Sequence, residues 1–192
     1  NDWGGWHAQN GIWEIGIPDP AITTAPEGSS VAATNLDGNY TTHTNSRLVS
    51  PTIDLGVQHL ITPGEEIWLR FWHYFNYSSS DYGRVDVQVF DPSNNSWGAW
   101  IHIATPGNRW SDWSPCGVDL TAYAGERIRI AFRNDVNNDS VVSLGWYLDE
   151  VEISAGPPPY NAVEGFENDW GGWHAQNGIW EIGIPDPAIT TA

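Results

Sequence analysis

Residues 127–135 read RIRIAFRND, and this stretch decides the fold class. Ile128, Ile130 and Phe132 alternate with arginine and other residues, so apolar side chains fall on one face of an extended chain and basic side chains on the other. This period of two predicts a β-strand in a sheet that has one buried face and one wet face.

The same period recurs in residues 83–91, GRVDVQVFD, where three valines oppose Arg84, Asp86 and Gln88. Further strand candidates are RLVSPTIDL, EIWLRFWHYFNY, WGAWIHIAT and GWYLDEVEIS, and turn-forming clusters such as SSSDYG, DPSNNS and NDVNNDS separate them. No stretch shows the apolar stripe of an amphipathic helix. About eight to ten strands in one unit of about 160 residues predict an all-β fold, a two-sheet antiparallel β-sandwich of the jelly-roll type.

The two ends of the chain carry the same sequence. Residues 168–192 repeat residues 1–25 letter for letter, which gives a period of 167 residues. A fixed period favours a tandem array. The alternatives are a deliberately duplicated edge and a second copy that completes a neighbouring molecule. We expect residues 1–154 to form a sandwich repeat that lacks its first strand, 155–162 to form a proline-rich linker, and 163–192 to supply the first strand and start of the next repeat.

The composition excludes several classes of partner and chemistry. The formal net charge is −17, and such a surface repels phosphate backbones and anionic lipids but attracts divalent cations. All seven basic residues are arginine, so a lysine nucleophile or Schiff base is excluded. One cysteine, Cys116, allows no disulfide within the chain. No apolar run approaches the length of a membrane span, so no membrane insertion is expected.

Several motifs together resemble one family. GFENDWGGWHAQNGIWEIGIP, TNLDGNY, SRLVSPTIDL, LRFWHYF and GWYLDEVEI resemble, in this order around one period, the MAM-like jelly rolls that accompany immune-inhibitor-A-type metallopeptidases and many bacterial surface proteins. The resemblance implies a secreted or cell-surface accessory module without catalytic activity, often with bound calcium. It implies no particular ligand.

A candidate metal site lies in GWYLDEVEIS. Strand alternation puts Asp149 on the same face as Val151 and Ile153, which look like core residues, so Asp149 is expected to point inward or to the rim of the core. A buried carboxylate needs a cationic partner or a metal. The family resemblance implies calcium shared by Asp149 and Glu167. A nearby loop would add a ligand, Asn35 or Asp37.

A second candidate metal site is the stretch DVNNDS. Asp135, Asn137 and Asp139 have the D-x-N-x-D spacing that opens a calcium loop. The stretch departs from the EF-hand pattern, because Ser140 replaces the turn glycine and strands rather than helices flank it. A solvated turn held by its own Asn and Asp side chains is the alternative.

Paired tryptophans offer a platform for sugars. The W-x-x-W stretches place Trp97, Trp100, Trp110 and Trp113 close together in sequence, and aromatic rings at loop edges can stack on sugar rings. The alternative is that these indoles fill the core of the sandwich or fold over the ends of loops. Of the 13 tryptophans, three lie in the second copy, and the ten that remain exceed what any glycan site needs.

The sequence predicts no enzyme, because H-E-x-x-H, G-x-S-x-G and C-x-x-C motifs are absent. The leading interpretation is a calcium-stabilised structural or adhesive repeat of an extracellular stalk or filament. Such a repeat would assemble head to tail with a neighbouring copy through the duplicated segment. The alternative is a carbohydrate-binding module of a secreted enzyme, with glycans as partners.

Overall fold

The computed structural model describes residues 3–56, 65–78, 80–106 and 112–156. All of them belong to one compact unit, Asn1–Gly156. Within them the chain forms two antiparallel sheets and one short 3-10 helix, Thr121–Tyr123, which confirms the predicted β-sandwich. The predicted second repeat and most of the predicted linker lie outside the described residues. No helix in the described part is long and apolar enough to cross a membrane.

The described strands are numbered here in chain order. They are β1 His7–Gln9, β2 Glu14–Gly16, β3 Val31–Ala33, β4 Asn45–Val49, β5 Ile53–Asp54, β6 Glu66–Asn76, β7 Tyr82–Asp91, β8 Ser96–Trp97, β9 Ile101–Ala104, β10 Ser114–Asp119, β11 Arg127–Asp135 and β12 Gly145–Gly156.

The strands divide into two sheets. Sheet A has the order β1-β4-β11-β7-β8, with β5 paired to β11 and β9 paired to β7. Sheet B has the order β10-β6-β12-β3-β2. The two strands with the clearest alternation, β7 and β11, are neighbours near the middle of sheet A.

The core lies between the inner faces of the two sheets. The predicted apolar faces of β7 and β11 both point inward, and Val85, Ile130 and Phe132 are fully buried there. Trp146 of β12 lies opposite them, with its ring 5.4 Å from that of Phe132 and 5.3 Å from that of Phe75. These edge-to-face pairs add about 0.5–1.5 kcal/mol each to the burial of the rings themselves.

The backbone of β7 must approach these rings closely. A Cβ atom on Gly83 would lie 2.5 Å from the ring of Phe75 and 2.7 Å from the ring of Trp146. No side chain fits at that distance, so position 83 must be a glycine where β7 crosses the aromatic cluster.

The structure corrects the face predicted for Asp149. Trp146 and Leu148 point into the core, which places Asp149 on the outer face of sheet B, where it is half-buried. The alternation is then interrupted by an irregularity between Asp149 and Glu152. As a result Val151, predicted to lie in the core, is 38% exposed. A bulge inserts an extra residue and reverses which side chains face inward, and sequence alternation cannot reveal it.

A second apolar cluster covers part of the outer face of sheet B. Tyr147, Tyr74, Val31 and Ala33 are buried there. Ile22, Ala25, Leu36, Trp113 and Leu144 pack over them. One end of this face is therefore occupied by the loops that follow β2 and β3.

A buried histidine makes the stability of the sandwich depend on pH. Burial among Phe71, Phe75 and Trp146 lowers the pKa of His73 from 6.5 to about 4. The native state therefore keeps His73 neutral while the unfolded chain takes up a proton below pH 6.5. Stability from this group is complete above pH 6.5 and is lost as the pH falls to about 4, by up to about 3 kcal/mol.

We therefore expect His73→Phe to flatten the decline in the free energy of unfolding between pH 6.5 and pH 4. Urea melts of both proteins at several pH values measure the difference between their slopes. Parallel pH profiles for the two proteins would contradict this assignment.

Candidate functional site

The outer face of sheet A carries a line of three arginines on adjacent strands. In the strand register, Arg133 of β11 lies directly opposite Arg47 of β4 on one side and directly opposite Arg84 of β7 on the other. We call these three residues the arginine row. Like charges directly opposite each other destabilise a sheet, so we expect the row either to be neutralised by nearby carboxylates or to bind an anionic group.

Two aspartates lie beside the row and compensate part of its charge. Asp86 Oδ2 is 3.3 Å from Arg47 Nε and 3.6 Å from Arg133 Nε. Asp135 Oδ2 is 3.0 Å from Arg84 Nε and 3.1 Å from Arg133 Nη2. Three guanidinium groups thus share two carboxylates, and the network keeps an excess of one positive charge.

Asp86 is the deepest charged group of this face, since its side chain is only 1% exposed. Its second oxygen, Oδ1, is 3.4 Å from His102 Nδ1, on the neighbouring strand β9. A buried carboxylate costs several kcal/mol of desolvation unless charged partners surround it, and Arg47 and Arg133 are those partners. The Asp86 carboxylate therefore fixes the positions of the Arg47 and Arg133 guanidinium groups.

Aromatic rings lie at both ends of the arginine row. The guanidinium carbon of Arg47 is 5.5 Å from the ring centre of Trp100, and that of Arg84 is 5.3 Å from the ring centre of Tyr82. Tyr82 is 45% exposed, and Trp100 is half-buried. Each ring is held in place by the cation beneath it, at a distance typical of cation–π contacts.

Trp97 is held on the same face by an arginine outside the row, Arg129. The guanidinium carbon of Arg129 is 3.8 Å from the ring centre of Trp97. Arg129 Nη2 also donates to Gln88 Oε1 at 2.9 Å, and Gln88 Nε2 donates to the carbonyl oxygen of Gly98 at 2.7 Å. Gln88 therefore ties β7 to the short loop between Trp97 and Trp100, and burial lowers the pKa of Arg129.

The structure divides the four tryptophans that the sequence grouped as a glycan platform. Trp97 and Trp100 both lie on the outer face of sheet A, half-buried and each against a different arginine. Trp113 lies on the outer face of sheet B, where its Nε1 donates to Thr23 Oγ1 at 2.7 Å. Trp110 lies outside the described residues. Trp113 packs against the buried apolar cluster of that face, whereas Trp97 and Trp100 lie outside the core between the two sheets.

The first set of predicted calcium ligands makes hydrogen bonds to backbone N–H groups. Asp149 Oδ1 accepts from the backbone of Glu150 at 2.8 Å, and its Oδ2 accepts from the backbone of Glu27 at 3.3 Å. Asn35 Oδ1 accepts from the backbone of Asp37 at 3.0 Å, as in an Asx turn. The proposed partner carboxylate, Glu167, lies outside the described residues.

The second set has the contacts of a turn. Asp135 is held by arginines, Asn137 Oδ1 accepts from the backbone of Asp139 at 2.7 Å, and Asp139 Oδ1 accepts from the backbone of Val141 at 2.9 Å. Successive Asx turns of this kind match the solvated-turn alternative. Within the described ranges, no group of three or more His, Cys, Asp or Glu residues could hold a metal ion. Calcium binding stays a prediction.

The sequence did not reveal the arginine row or its buried aspartate. Alternation correctly placed Arg84, Asp86 and Arg133 away from the core, but it carried no information on which strands are neighbours. The signal that could have drawn attention to this face is the number of arginines in β7 and β11, in a chain with only seven basic residues.

Comparison with known proteins finds relatives of part of the sequence. No family model matches the chain, so the resemblance to MAM-like domains stays a prediction. Bacillopeptidase F of Bacillus subtilis (strain 168) is 34% identical over 155 residues, which is 79% of this chain and 10% of that protein. The chain thus spans about a tenth of the length of this curated relative.

Solved structures with a similar β-sandwich include carbohydrate-binding modules. A CBM61 module in complex with beta-1,4-galactotriose is 14% identical, with a TM-score of 0.41 over 78% of this chain and 87% of that one. The CBM22-2 xylan-binding domain of Paenibacillus barcinonensis Xyn10C is 13% identical, with a TM-score of 0.47 over 80% and 93%. With TM-scores below 0.5, these likenesses decide nothing about the ligand of this chain.

Proposed function

We propose that this chain is a non-catalytic carbohydrate-binding module and that the outer face of sheet A is its binding site. One observation carries the proposal: Trp97 and Trp100 lie half-buried on the outer face of sheet A, each against an arginine and next to a network of charged groups. Half-buried indoles on a polar face are not needed for the core, which already holds Trp13 and Trp146.

The chemistry of a sugar matches this combination of groups. A pyranose ring has apolar C–H faces that pack against an indole and hydroxyl groups at its edge that need donors and acceptors. The guanidinium groups of the arginine row supply donors, and Gln88 and His102 supply groups that can donate or accept. Such a site binds by stacking on the rings and gains specificity from the polar groups beside them.

The site is also held in place before a ligand arrives. Arg47 and Arg129 fix the two indoles, and Asp86 fixes Arg47. Ordering a side chain on binding costs about 0.5–1.5 kcal/mol, so rings that are already positioned bind more tightly than mobile ones.

Binding to glycans tests the proposal directly. Soluble xylan and beta-1,4-galactan oligomers are the first probes, because the structures with a similar fold bind such chains. We expect a change in tryptophan fluorescence on titration and a loss of affinity of at least about tenfold in Trp100→Ala, since removal of a stacked ring removes more than about 1.4 kcal/mol.

Trp68→Ala is the matched control, because Trp68 is a half-buried tryptophan of β6 on sheet B. It should bind like the parent chain. Absence of binding to a broad glycan panel would overturn the proposal. An equal loss in Trp68→Ala and Trp100→Ala would overturn the location of the site.

The adhesive-repeat interpretation adds properties that remain proposals. These are calcium stabilisation and a secreted or cell-surface location, which the family resemblance implies, and head-to-tail assembly through residues 163–192, which the duplicated ends suggest. Residues 163–192 and Glu167 lie outside the described residues. A tandem array of such modules would present several glycan sites in a row, so the two interpretations are compatible.

A further inference from the structure

We infer that the ligand of this face is an acidic polysaccharide, a chain of uronic acid residues whose carboxylates bind the arginines. The inference rests on the proposed glycan function and names the class of glycan. It is carried by the distribution of charge on sheet A and by the geometry of the arginines there.

The outer face of sheet A is positive on a strongly negative protein. Strands β4, β7 and β11 place five arginines on it, against the three aspartates that pair with them on β5, β7 and β11. The arginines are Arg47, Arg84, Arg127, Arg129 and Arg133, and the aspartates are Asp54, Asp86 and Asp135. This face therefore holds five of the seven basic residues of the chain and an excess of two positive charges, whereas the whole chain carries −17.

A purely structural network would not need this arrangement. Three arginines directly opposite one another on adjacent strands repel, and two aspartates leave one guanidinium charge uncompensated. A carboxylate on a bound ligand would neutralise the remaining positive charge of the arginine row. The row spans two interstrand spacings, about 10 Å, so it can contact more than one sugar of an extended chain.

Arg129 is the second candidate for a ligand carboxylate. In the described part of the chain it has no carboxylate within 4 Å, and its hydrogen-bond partner is the amide of Gln88. A guanidinium has five N–H donors in a planar fork that matches a carboxylate. Because Arg129 lies against the ring of Trp97, a sugar near that ring would bring its carboxylate close to this guanidinium.

The net charge of the chain does not prevent this binding. At physiological ionic strength the Debye length is about 8 Å, so carboxylates elsewhere on the surface are largely screened from the ligand. A charge-assisted hydrogen bond at contact distance on a partly desolvated face is screened far less. Local complementarity therefore outweighs the distant repulsion.

The experiment compares uronate oligomers with matched neutral oligomers. Oligogalacturonate, oligoguluronate and oligomannuronate are titrated by calorimetry at physiological salt, each against its methyl ester, together with neutral xylan oligomers. We expect at least one uronate to bind about tenfold or more tightly than its ester. Arg129→Gln and Arg84→Gln should lose most of that preference, and Arg129→Lys should recover only part of it, because lysine keeps the charge but not the fork.

Arg70→Gln is the matched control. Arg70 is exposed on β6 of sheet B, so its substitution makes the same change in net charge without touching this face. It should keep the full preference for the uronate. Thermal melts of each variant separate a loss of ligand binding from a loss of fold.

The outcomes separate this inference from the proposed function. Neutral xylan binding that depends on Trp100, with no preference for any uronate, overturns the inference and leaves the glycan function standing. Absence of binding to these oligomers overturns the inference, and absence of binding to a broad glycan panel as well overturns both. Self-association that disappears in Arg129→Gln, without uronate binding, also overturns it, because the occupant of the face would then be the acidic surface of a second copy.

Discussion

Replacement of Trp146 by alanine is expected to lower the free energy of unfolding by about 3–5 kcal/mol. The indole is fully buried and contacts the rings of Trp13, Phe75 and Phe132, drawn from β6, β11 and the loop before β2. The close approach of Gly83 leaves the backbone little room to move, because that glycine already lies against the same ring. The cavity would therefore remain largely unfilled.

Such a loss is a large part of the total free energy of unfolding, which for a protein domain is typically about 5–15 kcal/mol. Chemical denaturation followed by circular dichroism measures it. Trp146→Phe should cost less, because it keeps an apolar ring in the cluster, and Trp68→Ala on the outer face of sheet B should cost less than either. A cost below about 1.5 kcal/mol for Trp146→Ala would contradict this packing.

Asp86→Ala is expected to cost about 3 kcal/mol. The substitution leaves Arg47 and Arg133 facing each other without the carboxylate that lies between them, and removal of one partner of a buried ion pair costs about 3–5 kcal/mol. The lower end of that range applies because the two arginine side chains are 15% and 17% exposed and water can partly solvate them. The same variant should weaken glycan binding, since Trp100 rests on Arg47.

Asp54→Ala is the control for Asp86→Ala. It makes the same change in charge on the same sheet face, but Asp54 is 35% exposed and lies 3.9 Å from Arg127, which is 50% exposed. Exposed pairs contribute about 0.2–1 kcal/mol. Thermal and urea melts of both variants give the comparison, and equal costs for the two would show that Asp86 does not hold the network together.

The all-β fold class was predictable because the sequences of two strands, β7 and β11, alternate between apolar and polar residues. Three valines of β7 and Ile128, Ile130 and Phe132 of β11 alternate with mostly polar residues, and these apolar side chains face the core. Alternation failed in β12, where the irregularity between Asp149 and Glu152 reverses the inward and outward positions. A bulge changes the strand locally by one extra residue. It leaves no mark on the apolar and polar pattern of the sequence, so alternation does not predict it.

The candidate site was predictable only in part. Trp97 and Trp100 were found from their W-x-x-W spacing, and the structure leaves them on an outer face. Trp113 was grouped with them because it is near in sequence, yet it lies on the other sheet. The arginine row depends on the pairing of three strands that are far apart in the chain, and sequence patterns within one strand carry no information on such pairing.

The most direct test of the central claim is nuclear magnetic resonance of the indole N–H groups during titration with a glycan that binds. Single Trp→Phe variants assign the resonances. The account predicts that the signals of Trp97 and Trp100, on the outer face of sheet A, shift and saturate together with the binding isotherm. The signals of Trp68 and Trp146 should stay in place. Shifts confined to Trp68 or to other tryptophans of sheet B, with Trp97 and Trp100 unchanged, would contradict it.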